Sequence, residues 1–266
     1  MHKPLFAAAL LALPALSLTP AYAALSVGSA AFTYSQTFNS LASSGSANAW
    51  ADDSTLPGWS LLNATGASVP TYGTDTSNTG AFRAFGDSAS SERALGGVAS
   101  GGAYFGSPPS GAVAGWIAVA FTNASGAALN GFSVGFNGEQ WRNGGNTSAQ
   151  TMVLEYGYGA SFGTVASWTA PGGSFDFTSP VIGATAAAVA GNSAGLIAGL
   201  GGSVATNWAA GDTLWLRWVE RNDAGNDHGL AIDDLSFSVT AVPEPGALAL
   251  MLAGLAAVGF VARRRA

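Results

Sequence analysis

The chain has 266 residues, 48% of them hydrophobic and only 9% charged, with a formal net charge of -6. So few Lys and Arg cannot neutralise a phosphate backbone, which excludes nucleic acid as a partner. The absence of Cys excludes disulfides, thiolate nucleophiles and Cys-ligated metals, and two histidines (His2 and His228) are too few for a multi-His metal centre.

Residues 1–23 read as a signal peptide for signal peptidase. Lys3 supplies the positive n-region, Leu5 to Leu18 form an apolar stretch broken only by Pro14 and Ser17, and Ala21-Tyr22-Ala23 places cleavage after Ala23. Residues 24–241 then form one β-sandwich domain. Five basic residues stand against fourteen acidic ones there, leaving a net charge of about -9. Helical periodicity is almost absent, and alternating runs are punctuated by Gly, Asn, Ser and Pro.

In chain order, Ala31 to Phe38 puts Phe32, Tyr34 and Phe38 on one face, and Trp59–Leu62 and Phe82–Phe85 are shorter candidates. Trp116 to Thr122 alternates Ile117, Val119 and Phe121 against Trp116, Ala118 and Ala120. Phe132, Val134 and Phe136 share a face, as do Met152, Leu154, Tyr156 and Tyr158. Leu214, Leu216 and Trp218 oppose Trp215, Arg217 and Val219, and Leu235, Phe237 and Val239 line the last run, Leu230 to Thr240. Residues 39–56, 63–80 and the Ala/Gly-rich segment 183–206 read as loops and connections. Strands without a βαβ rhythm predict an all-β, antiparallel sandwich.

The segments Phe136–Arg142, Leu214–Asp223 and Gly225–Phe237 together resemble secreted bacterial jelly-roll modules. The strand Ala231-Ile232-Asp233-Asp234-Leu235-Ser236-Phe237 is similar to the last strand of MAM-type and carbohydrate-binding jelly rolls. The resemblance implies a jelly-roll fold and, in some members, a structural Ca²⁺ between the last strand and an N-terminal element, here near Gln36 or Asn39. It brings no catalytic residues.

Glu220, Asn222, Asp223, Asn226, Asp227, Asp233 and Asp234 concentrate hard oxygen donors, of which Ca²⁺ takes about six to eight. Asp223, Asp227, Asp233 and Asp234 are the candidate ligands, although strand alternation sends Asp233 and Asp234 to opposite faces. The competing reading is a polar turn whose carboxylates are solvated or paired with Arg217 or Arg221.

A glycan-cleaving enzyme would draw its two carboxylates from Glu139 and Glu220, both beside tryptophans and arginines; the alternative is a ladder of cross-strand pairs on a sheet surface. Gly191-Asn192-Ser193-Ala194-Gly195 matches a hydrolase pentapeptide but lacks its strand–turn–helix context, so it reads as coincidence. Among eight tryptophans, Trp141 and Trp168 border Gly-rich turns and are the candidates for stacking on sugar rings.

The chain ends on Val242-Pro243-Glu244-Pro245, an apolar run over 246–262, then Arg263, Arg264 and Arg265. Seventeen helical residues span about 25 Å, the lower limit for a bilayer crossing, and the arginines hold their end in the cytoplasm. Residues 242–266 closely resemble the PEP-CTERM sorting signal of Gram-negative bacteria. That resemblance implies recognition and cleavage near the tripeptide by exosortase, a membrane-embedded protease. The prolines keep the tripeptide extended at the membrane face.

The sequence therefore predicts an exported, exosortase-sorted, non-enzymatic protein. It is held in the inner membrane until processed, then resides at the cell surface or in the extracellular matrix in contact with exopolysaccharide. A carbohydrate-active enzyme and a self-assembling structural protein are the alternatives.

Overall fold

The computed structural model describes residues 24–240, 253–255 and 263–264. The expected signal peptide with Ala23, the tripeptide Pro243-Glu244-Pro245, most of the helix 246–262 and Arg265 lie outside the described residues. Ala253, Gly254, Leu255, Arg263 and Arg264 are helical. Among the described residues no helix is long and apolar enough to cross a membrane.

The described strands are β1 (Leu25–Val27), β2 (Thr33–Gln36), β3 (Asn48–Ala49), β4 (Trp59–Asn63), β5 (Thr71–Tyr72), β6 (Ala81–Phe85), β7 (Ala94–Val98), β8 (Val113–Asn123), β9 (Leu129–Asn143), β10 (Thr151–Tyr158), β11 (Phe177–Thr178), β12 (Ala187–Ala188), β13 (Leu196–Trp208), β14 (Thr213–Arg221) and β15 (Gly229–Thr240). The first sheet runs β1-β8-β14-β10-β11, with β4 also on β8; the second runs β12-β9-β15-β7-β6, with β13 also on β9 and β2 also on β15. Pairing is antiparallel except between β1 and β8. From β8 to β15 the long strands β8, β9, β10, β13, β14 and β15 alternate between the two sheets.

Each alternating run of the sequence is a strand, and its apolar phase faces inward. Ile117, Val119, Phe121, Leu214, Leu216 and Trp218 of the first sheet meet Phe132, Val134, Phe136, Ile232, Leu235 and Phe237 of the second. Rings lock this layer. Trp59 stacks on Trp218 at 5.9 Å, and Phe121 on Phe237 at 3.9 Å between centroids. Each such side chain contributes about 1.5–3 kcal/mol through burial.

The opposite phase is covered too. Leu62, Ala118, Ala120 and Trp215, on the outer face of the first sheet, lie beneath Phe162, Val165 and Trp168 of a folded-over loop.

The segment 183–206 departs from expectation. Much of it is β13, a thirteen-residue strand on the edge of the second sheet. Its glycines supply too few side chains to show alternation, and the strand is bulged. Gly201 has φ +111°, and a Cβ there would lie 2.0 Å from the Val134 carbonyl oxygen, so β13 can approach β9 only with glycine at that position.

Candidate functional site

The outer face of the second sheet carries a groove of about 660 Å³ lined by β2, β15, β9 and β13. Its floor follows from register. Ser238 pairs with Thr33 on one side and Ser133 on the other, and Ser133 pairs with Ser203, so one row of hydroxyls crosses four strands. The next row is Ser35, Ser236, Gly135 and Gly201. Phe237, Val134 and Val204, of the opposite phase, are buried in the core. At strand spacing the hydroxyl row is about 14 Å long. Ser133 and Ser203 share a 2.7 Å hydrogen bond, and the Ser236 hydroxyl donates to the Gly135 carbonyl at 3.3 Å. Short hydroxyls and bare glycine backbone form a floor that an extended, hydroxyl-bearing chain can lie against.

Beyond this floor, on the same face, β15 bulges between Asp233 and Ser236, and Asp234 takes φ +48°. The bulge corrects the expectation that Asp233 and Asp234 point to opposite faces. Asp233 pairs with Asn137, whose amide Nδ2 donates to Asp234 Oδ2 at 3.0 Å. Asp233 also meets Glu139 of β9 and Glu92 of the loop before β7; one carboxylate oxygen from each of the three lies within 4.8 Å of the others. Burial pushes Glu139 up to about 7, opposed by the Trp141 hydrogen bond and reinforced by the charges of Glu92 and Asp234. Burial, with the Asp234 and Glu139 charges, pushes Asp233 up to about 9.

Asp223 and Asp227 are elsewhere. They sit in the β14–β15 turn, separated from Asp233 by an extended stretch of β15 of about 13 Å. The four aspartates therefore do not share one ligand shell, which corrects the expected Ca²⁺ set. The Asp227 carboxylate instead accepts the Asp223 backbone N–H at 2.7 Å, as a polar turn requires.

Glu139 and Glu220 are not brought together either. Glu139 has the parity of Trp141 and faces outward. Glu220 has the parity of Trp218 and projects between the sheets, where a Cβ on Gly97 would lie 3.1 Å from its Oε1. The second sheet separates them, so they form no acid pair across a groove.

Trp141 is 2% exposed, contrary to the open face expected beside a Gly-rich turn. Its ring stacks on Phe85, and its Nε1 donates to Glu139 at 2.8 Å. Gly191 covers it so closely that a Cβ would lie 2.2 Å from the indole. The glycine opening the hydrolase-like pentapeptide is thus a packing residue. Trp168 is half-buried, with one face taken by the Arg217 guanidinium at 3.8 Å.

His228 is buried, with Nδ1 accepting from the Gly144 N–H at 3.0 Å. Its Nε2 faces the Ser148 carbonyl at 3.3 Å, which fixes the proton on Nε2. Burial lowers its pKa, so it is a neutral structural imidazole.

The hydroxyl rows were half visible in the sequence, as Thr33-x-Ser35 and Ser236-x-Ser238 between apolar neighbours. Glu92 gave no sequence signal at all.

No curated protein matches the chain. Among solved structures it is similar to the CBM22-1 xylan-binding domain from Paenibacillus barcinonensis Xyn10C, at 9% identity and a TM-score of 0.39, covering 80% of this chain and 98% of that one. At its C-terminal end, residues 241–265 match the PEP-CTERM protein-sorting motif, and the chain carries that motif.

Proposed function

We propose that this is an exported, exosortase-sorted protein of the cell surface or extracellular matrix of a Gram-negative bacterium. Its jelly-roll sandwich binds polysaccharide along the hydroxyl groove without cleaving it. The observation that carries the reading is the sorting motif at residues 241–265. Alternation of the long strands between the two sheets supports a jelly roll. The row Thr33–Ser238–Ser133–Ser203 supports a glycan chain as the ligand, and the separation of Glu139 from Glu220 supports binding over hydrolysis. An N-terminal signal peptide and a transient inner-membrane anchor at 246–262 complete the export route.

Sorting is tested by intact-mass analysis of material recovered from the host surface. The wild type is expected to end near the tripeptide, while a Pro243→Ala/Pro245→Ala variant stays in the inner-membrane fraction with its arginines. Released wild-type protein still carrying Arg265 overturns the reading.

Glycan binding is tested on the host's immobilised exopolysaccharide. Ser236→Trp fills the middle of the groove from a solvent-exposed position, so it is expected to weaken binding at least tenfold while shifting the melting midpoint by less than about 2 °C. Full binding by Ser236→Trp removes the groove as the site. Concentration-dependent assembly without glycan binding favours the structural alternative, and shortening of the glycan favours the enzyme.

A further inference from the structure

We propose that the hydroxyl groove selects an uncharged glycan and rejects an acidic one, and that Asp234, at the end of the groove, sets the discrimination. The proposal rests on the groove reading above and names the class of glycan that the groove takes.

The lining carries no charged side chain. Its polar groups are the hydroxyls of Thr33, Ser35, Ser133, Ser203, Ser236 and Ser238, with bare glycine backbone between them. Its rings are committed to the interior. Phe237 is buried, and the Tyr34 hydroxyl accepts from Trp59 Nε1 at 2.9 Å. The floor therefore meets a ligand through hydroxyls and peptide groups, which serve sugar hydroxyls as donors and acceptors alike.

A hydroxyl also donates to a carboxylate, so the floor alone does not reject an acid. The arginines decide the matter. Residues 24–240 hold no Lys and five Arg, and each guanidinium is engaged away from the groove. Arg83 pairs with Asp75, and Arg217 with Glu155. Arg93 donates to the backbone carbonyls of Asp87, Glu92 and Ser43, Arg142 to that of Thr76, and Arg221 to that of Gly111. A uronate, sulfate or phosphate laid in the groove would give up water without meeting a cation.

The charge that borders the groove is negative. Gly199, in the lining, donates its N–H to Asn137 Oδ1 at 3.1 Å, and Asn137 Nδ2 donates to Asp234 Oδ2 at 3.0 Å. Asn137 stands one outward-facing step beyond Gly135 on β9, about 7 Å along the strand. Asp234 is exposed, and the bulge holds it at φ +48°. The Asn137 amide orients the carboxylate without neutralising it. In water a like charge about 7 Å away weakens binding roughly threefold, and an acidic chain adds further charges against a domain with an excess of acid.

The test uses one polysaccharide in two charge forms. Host exopolysaccharide is carboxyl-reduced to an uncharged polymer, and a portion is then oxidised at C6 so that the same backbone carries uronates. The full chain, purified in a non-glycosidic detergent, is titrated with each form at about 10 mM and about 1 M salt, where charges are screened over about 30 Å and about 3 Å. At low salt the uncharged form is expected to bind at least tenfold tighter than the oxidised form, and at high salt the gap should close. Asp234→Asn keeps a residue that tolerates the left-handed backbone. It should raise the affinity for the oxidised form about threefold at low salt and move the melting midpoint by less than about 2 °C. Ser236→Trp should weaken binding of the uncharged form, which places that binding in the groove.

Equal or tighter binding of the oxidised form at low salt overturns the selection. A gap that ignores salt overturns charge as its cause, and a gap that ignores Asp234→Asn removes Asp234 from it. Binding of neither form by the wild type defeats the groove reading itself, a result distinct from any of these.

Discussion

Replacing Arg217 with alanine is expected to lower stability by about 3 kcal/mol, far more than a surface ion pair is worth. Arg217 lies on β14, and its side chain is 13% exposed. Its guanidinium sits 3.8 Å from the Trp168 ring centroid, 4.9 Å from Trp116 and 5.7 Å from Phe162. Across the strand pair its Nε donates to Glu155 Oε2 at 2.6 Å, and Nη2 lies 2.5 Å from the same oxygen. Burial lowers the Arg217 pKa, and the Glu155 hydrogen bond and charge oppose that effect.

Charge-assisted hydrogen bonds contribute about 1.5–3 kcal/mol and partly desolvated cation–π contacts about 1–2. Their loss strips the rivet from the aromatic layer over the first sheet. The denaturant midpoint should fall with an unchanged slope, and melting should drop by roughly 6–12 °C. Arg217→Lys keeps the charge but loses the plane that lies against Trp168, so it should recover only about half of the loss. A loss below about 0.5 kcal/mol for Arg217→Ala removes the guanidinium from the account of this face.

The contrast between Trp168 and Trp141 shows where sequence reading stops. Phase along one strand is local information, so the Leu214/Trp215 alternation sorted core from outer face correctly. Exposure of an outer-face ring depends on what folds over it: a Gly-rich segment with no apolar period of its own covers Trp141, and the Arg217 guanidinium covers one face of Trp168. Gly191 lies on Trp141 because it lacks a side chain, which is also why its segment read as a featureless connection. β7, with the sequence Ala-Leu-Gly-Gly-Val, and β13 escaped notice for the same reason.

The Asp233-Asp234 pair shows a second limit. One bulged residue reversed a parity argument, and nothing in the pair itself marks the bulge. The hydroxyl groove required the register of four strands drawn from both ends of the domain. That register is set by inward-facing Phe and Val residues, not by the serines it aligns.

The same inward phase places a carboxylic acid where none belongs, and stability is expected to fall as pH rises from 5 to 9 because of it. Glu220 is 4% exposed, and its Oε1 has no hydrogen-bond partner. It lies between the sheets beside Gly97, where a larger residue would crowd it. Burial, with the charges of Asp227 and Asp223 in the adjoining turn, pushes it up to about 8 from an ordinary 4.5. Below pH 4.5 the folded and unfolded chains both hold the proton. Between 4.5 and 8 only the folded chain does, so each pH unit costs about 1.4 kcal/mol, and the loss levels off above 8 at about 5 kcal/mol.

Asp227, raised by burial to about 7, adds a loss of the same sign over a lower window. Glu220→Gln fixes the neutral form. It should match the wild type near pH 5 and exceed it by several kcal/mol at pH 9, leaving the shallower decline that the raised Asp227, Glu139 and Asp233 contribute. Denaturation curves collected across that range decide the matter. If wild type and Glu220→Gln keep a constant offset from pH 5 to 9, Glu220 is ionised in the fold, and a cation or water must reach it between the sheets.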